Sequence, residues 1–547
     1  MRSFLATALA GSTASPGRSW LAASALIALL AVAPIIALLL IATQSSGDLW
    51  PHLISYVLPH ALSQTALLLL GVSVIVTAVG TGSAWLVTAY DFPLRRGFEW
   101  ALLLPLAIPT YIIAFAYLDL MHPIGPVQST LRALFGLRPR DLHFLEMRSL
   151  PGAIFVLGVV LYPYVYLFAR AMFLMQAASL VDAARMLGAS PAAVFFRVAL
   201  PLARPAIAVG TSLALMEAIN DIGASEFLGV QTLTVSIYAT WINRTSMPGA
   251  AQIAIAMLVV VVALIVVERR ARSRQRYAAE AARARRLQPV RLAGVWALLA
   301  PALCFVPVLL GFLAPAAYLA NESWKRLSFA GFSDRLVEET VNTMLLSGIA
   351  TAVILAGGLV VAFAARQSRL GLHLLRIASL GYAVPGTVLA IGLLWPMALV
   401  DEALNRVGLV SGMFLSGSIV ALVYAYGARF MAIAAGGIEA GLSRIPPSFD
   451  QAARMLGRTP AGAMRAIHLP LVRPALLTAA LLVFVDCMKE LPATLLLRPL
   501  GFETLSTHLY GEAARGTYED GAIAAILIVL FGLIPVILLA RLSRREG

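Results

Sequence analysis

Charge is scarce in this 547-residue chain. Asp, Glu, Lys and Arg together make up 12% of it, against about 25% in an ordinary soluble domain. Hydrophobic residues make up 60%, and the mean hydropathy is +0.87. That excludes the several soluble domains that length alone would suggest. Lysine is scarcer still, with only Lys325 after Trp324 and Lys489 after Met488. A phosphate-binding loop needs Gly-Lys followed by Ser or Thr, so the chain has no such loop. Energy for any work must come from a partner chain or an ion gradient. The two cysteines, Cys304 and Cys487, each stand inside an apolar run and are too few for a disulfide framework. The seven histidines form no i,i+3 or i,i+4 pair, so zinc-type spacing is missing. With no nucleophile or metal cluster, the chain is read as neither an enzyme nor the holder of a cofactor.

What is present is a series of apolar runs. A spanning helix needs about 20 mostly apolar residues. Candidates lie near 20–42, 61–89, 100–118, 151–174, 206–228 and 251–267, then 294–319, 341–365, 374–400, 414–435, 474–497 and 521–540. The run from Leu21 to Ala42 exceeds a signal-peptide core of about 7–15 residues, so it reads as an uncleaved first span. The pattern predicts an all-α polytopic membrane protein of about twelve spans. Its net charge of +14 comes from loops between spans, where positive charge sets orientation rather than binding nucleic acid. With both termini in the cytoplasm, 29 Lys and Arg fall on that side and 11 outside. Nine arginines crowd Arg269–Arg291. The expected organisation is a tail at 1–19, a first half at 20–268, a basic cytoplasmic linker at 269–292 and a second half at 293–547.

An internal repeat supports the two halves. Residues 183–206 read AARMLGASPAAVFFRVALPLARPA, and residues 452–475 read AARMLGRTPAGAMRAIHLPLVRPA. At a constant offset of 269, 14 of 24 positions are identical. Both copies precede the fifth span of their half. An even number of spans separates them, so the halves are parallel repeats. Each copy has helix-turn-helix chemistry. Gly188 and Gly457 suit a left-handed helix end. Ser190-Pro191 and Thr459-Pro460 suit an N-cap followed by proline at the first helical position. Pro201 and Pro470 are expected to stop the second helix, with Arg204-Pro205 and Arg473-Pro474 opening the next span.

The spacing in these loops resembles the signature loop of bacterial ABC importer permeases, "EAA, three residues, Gly, nine residues, Ile, one residue, Leu-Pro". The first copy, in loop 182–205, supplies Asp182, Ala183, Ala184, Gly188, Val198, Leu200 and Pro201. The second, in loop 451–474, supplies Gln451, Ala452, Ala453, Gly457, Ile467, Leu469 and Pro470. Asp182 and Gln451 replace the leading Glu, and Gln451 carries no charge. The resemblance implies a type I (MetI-like) permease of the bacterial inner membrane whose loops dock into two copies of a separate ATPase subunit. It also implies a periplasmic solute-binding protein that delivers the substrate. Residues 108–117, 216–238 and 488–510 resemble fused permeases of ferric-iron importers. Permeases for thiamine, phosphonates and sulfate share the architecture.

Ionisable residues inside spans are costly and are functional candidates. Glu217 and Asp221, and likewise Asp486 and Glu490, are spaced i,i+4 and so are expected on one helix face. A two-fold arrangement would bring these four carboxylates together, with Lys489 pairing to one acid. Hard cations prefer oxygen ligands, so a transported cation suits them, without stable binding. The alternative is structural ion pairs or helix-end residues. Glu226 reads as nearer the outer end. Tyr111, Tyr117, Tyr162, Tyr164 and Tyr166 read as belt or packing residues. Beside the importer stand a gradient-driven secondary transporter, for which paired docking loops have no use, and a membrane-embedded enzyme, for which no reacting group is found.

Overall fold

The computed structural model describes residues 16–136, 138, 146–175, 183–273, 289–410 and 412–545. Among these, ten helices are long and apolar enough to cross a membrane, from Ser19–Ala42 to Pro460–Met488. An eleventh crossing is the pair Arg95–Ala107 and Thr110–Leu120, bent by 90°. The final helix, Tyr518–Arg545, is not among the ten. The all-α polytopic class stands, with ten or eleven candidate spans among the described residues.

The bend follows from local sequence. Proline's ring disfavours helical backbone in the residue before it. Ile108, before Pro109, is extended at φ −105° and ψ 120°. The second repeat does the same, with Val384 at φ −94° and ψ 128° before Pro385. The run expected to span 374–400 therefore divides. Arg369–Ala378 is a separate helix, N-capped by Ser368, whose Oγ accepts from the Gly371 amide at 3.0 Å. The spanning helix is Gly386–Arg406.

The helices gather into two compact units, and neither is continuous in sequence. One comprises Met1–Gln44 and Thr340–Glu503, the other Ser45–Glu339 and Thr504–Gly547. The first unit thus combines the first span with central helices of the second repeat. In it, Pro16–Ala42 lies along Arg369–Ala378 and Gly386–Arg406, and Trp20 meets Phe363 edge-on at 5.1 Å. The second unit combines central helices of the first repeat with Trp296–Ala330 and Tyr518–Arg545, and its most extensively packed pair is Leu58–Ala89 with Leu150–Met175. Tyr90–Asp91 there pairs in parallel with Val290–Arg291, fastening the end of the linker. Residues 274–288 of that linker lie outside the described residues.

Prolines inside these helices produce one recurring device. Four helices each contain one widened π turn, at Leu53–Val57, Phe195–Ala199, Leu309–Leu313 and Met464–His468. Each is followed, after one residue, by a proline: Pro59, Pro201, Pro315 and Pro470. The intervening amide reaches five residues back, as Leu200 does to the Phe195 carbonyl and Leu469 to that of Met464. Widening the turn relieves the clash between a proline ring and the carbonyl four residues earlier, so the chain stays helical. The expectation that Pro201 and Pro470 stop their helices is therefore corrected: the helix runs through the π turn into Leu200–Asn220 and Leu469–Met488.

Two carbonyls deprived of a donor by proline are met by tyrosine. Pro34 has no N–H for the Leu30 carbonyl, and the Tyr424 hydroxyl donates to it at 2.8 Å. In the π register Pro315 would have bonded Leu310, and the Tyr117 hydroxyl donates to that carbonyl at 2.7 Å. Tyr117, Tyr162 and Tyr166 are fully buried, consistent with packing. Removing one such hydroxyl strands a carbonyl at a cost of about 1 kcal/mol. Tyr424→Phe is therefore expected to lower the thermal unfolding midpoint in detergent, whereas Tyr56→Phe, at a position 69% exposed, leaves it unchanged. Equal midpoints for Tyr424→Phe and wild type would contradict this role.

Candidate functional site

The repeated loops form two short helices. Residues 183–186 are helical, and Asp182 lies outside the described residues. Their counterpart is helix Ser448–Met455, carrying Gln451, Ala452 and Ala453. Ala453 is buried, while Gln451 and Ala452 are exposed. Both helices end in a left-handed glycine, Gly188 at φ +79° and Gly457 at φ +71°. The following amides reach back over it, Ala189 to the Ala184 carbonyl at 3.0 Å and Arg458 to that of Ala453 at 2.9 Å. A side chain at either glycine is strained. Ser190 Oγ then accepts from the Ala193 amide at 3.3 Å, and Thr459 Oγ1 from the Gly462 amide at 3.1 Å, with Pro191 and Pro460 at the first helical position. The π turns lead directly from these caps into the spans.

One shared feature is not singled out by the signature residues. Met186 and Leu187 are 89% and 88% exposed, and Met455 and Leu456 are 90% and 81% exposed. They occupy equivalent repeat positions just before the glycine. In the sequence they are visible as Met-Leu-Gly repeated in both copies, but only the folded loop turns both side chains outward. These adjacent exposed apolar side chains recur at the same place in both copies, which makes them a candidate contact surface.

The acid pairs do not share a helix face as expected. The fifth-span helix ends at Asn220, and Asp221 leaves it at φ −80° and ψ 105°. Its counterpart ends at Met488, so Glu490 also lies beyond the helix. Each released acid caps the next short helix. Asp221 Oδ1 accepts from the Ala224 amide at 2.8 Å, and its other oxygen takes the Thr110 hydroxyl. Glu490 accepts from the amides of Ala493 at 3.0 Å and Thr494 at 3.1 Å, and from Arg429 Nη1 at 3.0 Å. Thr110 and Gly386 both follow the proline at the break in their repeat. A Cβ at Gly386 would come within 2.2 Å of Arg429 Nη1 and 2.8 Å of Glu490 Oε1. Glycine there makes room for a guanidinium where the first repeat supplies a hydroxyl.

Glu217 and Asp486 remain on their helices, both partly exposed. Lys489 Nζ lies 2.8 Å from Asp486 Oδ1, the expected pairing. Glu226 accepts from the Tyr510 hydroxyl at 2.5 Å. No group of three or more His, Cys, Asp and Glu able to hold a metal occurs among the described residues.

Spanning helices that carry two copies of one exposed loop make this a polytopic membrane protein built from a repeat. Residues 75–277 and 347–546 match the family described as binding-protein-dependent transport system inner membrane component, and the chain belongs to that family. It is therefore the permease of an ABC-type, binding-protein-dependent importer, with two permease repeats fused in one multi-pass inner-membrane chain. Members of this family are transporter subunits rather than enzymes. The chain is 24% identical over 491 residues, 88% of its length and 89% of the relative's, to the Fe(3+)-transport system permease protein FbpB 2 of Haemophilus influenzae. It is 26% identical over 507 residues, 88% and 87% of the two chains, to the probable ABC transporter permease protein y4fN of Sinorhizobium fredii. A crystal structure of a bacterial alginate ABC transporter with its pentasaccharide-bound periplasmic protein aligns with 46% of this chain and 95% of its own, at 20% identity and a TM-score of 0.38.

The two caps differ in what their removal leaves behind. Glu490→Gln strands Arg429, whose side chain is 11% exposed, and is expected to cost about 3 kcal/mol. Asp221→Asn leaves only neutral donors and is expected to cost about 1 kcal/mol. Thermal unfolding of the two variants in detergent checks this order, and a larger loss for Asp221→Asn would contradict it.

Proposed function

We infer that this permease imports ferric iron, handed over by a periplasmic binding protein, and that two copies of a peripheral ATPase drive it. The observation that carries the ATPase reading is the duplicated docking helix with its bare Met-Leu pair. Docking involves Ala183, Ala184, Gly188 and Pro201 in one copy, with Asp182 beside them, and Gln451, Ala452, Ala453, Gly457 and Pro470 in the other. Both loops, the basic linker and both termini lie in the cytoplasm, as the 29-to-11 distribution of Lys and Arg favours.

For the substrate, the support is the relative named for Fe(3+) transport, which matches along 88% of this chain. Relatives named for 2-aminoethylphosphonate transport, such as PhnV of Salmonella typhimurium, match only 24% of it, at 29% identity. Phosphonate import is the second reading. Among the acids proposed for the translocation pathway, Glu217 and Asp486 supply the negative potential, with Lys489 moderating Asp486. Asp221 and Glu490, already engaged as caps, hold the adjoining turns in shape. Carboxylate oxygens suit a hard cation shedding part of its water.

Proteoliposomes containing the chain, its ATPase and the cognate binding protein test this reading. ATP-dependent uptake is expected for Fe³⁺ and not for 2-aminoethylphosphonate or thiamine. Combining Glu217→Gln with Asp486→Asn is expected to cut iron uptake about tenfold, the loss of roughly 1.4 kcal/mol of favourable interaction, at an unchanged unfolding midpoint. Uptake of phosphonate without iron would overturn the substrate assignment, and undiminished uptake by the double variant would remove these acids from the pathway.

A further inference from the structure

The two docking loops share a sequence but are anchored by different chemistry. In the second, Asp450 lies in the first turn of helix Ser448–Met455. Arg366, from the last turn of Asp334–Gln367, reaches its Oδ2 through Nη2 at 2.6 Å and Nε at 3.0 Å. The same guanidinium donates to the Leu442 and Ile445 carbonyls at 2.5 and 3.0 Å, at the C-terminal end of Ile419–Ser443. On the other side, His468 Nε2 lies 2.9 Å from Asp450 Oδ1, and His468 Nδ1 lies 3.2 Å from the Ala463 carbonyl. His468 is the last residue of the π turn, is 1% exposed and has Phe363 edge-on at 5.6 Å. One carboxylate thus joins the docking helix, two spanning helices and the π turn.

The first loop does not carry the same residues at the same places. At the 269-residue offset, Val181 stands at the place of Asp450, outside the described residues, and Ala199 at that of His468. Its π turn is held by rings instead. Phe195 lies 5.5 Å from Trp85 and 4.9 Å from Phe196, and Trp85 meets Phe173 edge-on at 5.2 Å.

We propose that Arg366, Asp450 and His468 form a latch that sets the angle of the second docking helix, so that force from the ATPase bound there reaches the spans through an ion network. The first site transmits force through aromatic packing. A helix of eight residues is too short to hold itself in place, and its neighbours decide its direction. Charge-assisted hydrogen bonds are the strongest available for this. The side chains of Arg366 and Asp450 are 13% and 28% exposed, so salt screens the pair less than a surface one. Arg366 and His468 are positioning residues. The proposal rests on the reading of these helices as ATPase-docking elements.

The test uses the full chain with Arg366→Gln, Asp450→Asn and both together. In the purified permease, trypsin cleavage after Arg454 and Arg458 is expected to quicken about tenfold in each variant, because proteolysis follows the population of the opened segment. Cleavage after Arg185 keeps its rate, and the double variant is cut no faster than the singles, since the groups act as one unit. In proteoliposomes with ATPase and binding protein, transport per ATP hydrolysed is expected to fall about tenfold, within the usual range of coupling energies, while hydrolysis itself persists. A merely structural role would instead lower the unfolding midpoint and both activities together, and would overturn the proposal. So would wild-type cleavage rates with wild-type transport per ATP. If the unmodified chain bound no ATPase, the importer reading would fail instead, and the cleavage rates would still decide whether the latch holds the helix.

Discussion

A proline inside a helix leaves one carbonyl without its donor, and in the hydrocarbon of a membrane no water replaces it. This chain has 30 prolines, and much of its architecture consists of answers to that constraint. One answer is a borrowed hydroxyl, as Tyr424 gives to Leu30 and Tyr117 to Leu310. A second is the π turn, which carries the helix past Pro59, Pro201, Pro315 and Pro470. A third is to stop and begin again, as at Ile108-Pro109 and Val384-Pro385. Each such break leaves the chain extended for a residue or two. The short helices after Asp221 and Glu490 show the same economy, with their first amides bonded by the acid that precedes them.

The second of these answers matters most for function. Had Pro201 and Pro470 ended their helices, each repeat loop would hang from its span by a flexible joint. Because the helix persists, each loop is one end of a continuous helical arm, Pro191–Asn220 or Pro460–Met488. Under the proposed docking, displacement of the Met-Leu pair is transmitted along the arm to the region of Asp221 or Glu490. The arms are alike in sequence and differ at their roots, aromatic in one and ionic in the other.

The sequence makes the repeat, the left-handed glycines, the Ser-Pro and Thr-Pro caps and the all-α membrane class legible, because each depends on local chemistry at fixed spacing. It does not reveal which span joins which unit. That Pro16–Ala42 packs with residues 340–503 rather than with its sequence neighbours is decided by helix packing, which the uniformly apolar surface of a membrane helix does not encode. Spacing misleads at the acid pairs. Glu217 and Asp221 are four apart, but the helix ends between them, since Asp221 serves as a cap and a cap stands outside the helix it starts. The latch at Asp450 is equally hidden. Arg366 lies 84 residues from Asp450, and only the fold brings them together.

The central claim is that the two repeat loops are the ATPase-docking elements of one permease chain. Cysteine cross-linking tests it most directly. Met186→Cys and Met455→Cys are introduced separately and together into a chain lacking Cys304 and Cys487, and cross-linked to an ATPase carrying one cysteine in its docking groove. The account predicts one ATPase captured by each single variant and two by the double variant, with no capture through a control cysteine at Tyr56. Failure of either loop to capture an ATPase, or capture of only one by the double variant, would contradict it.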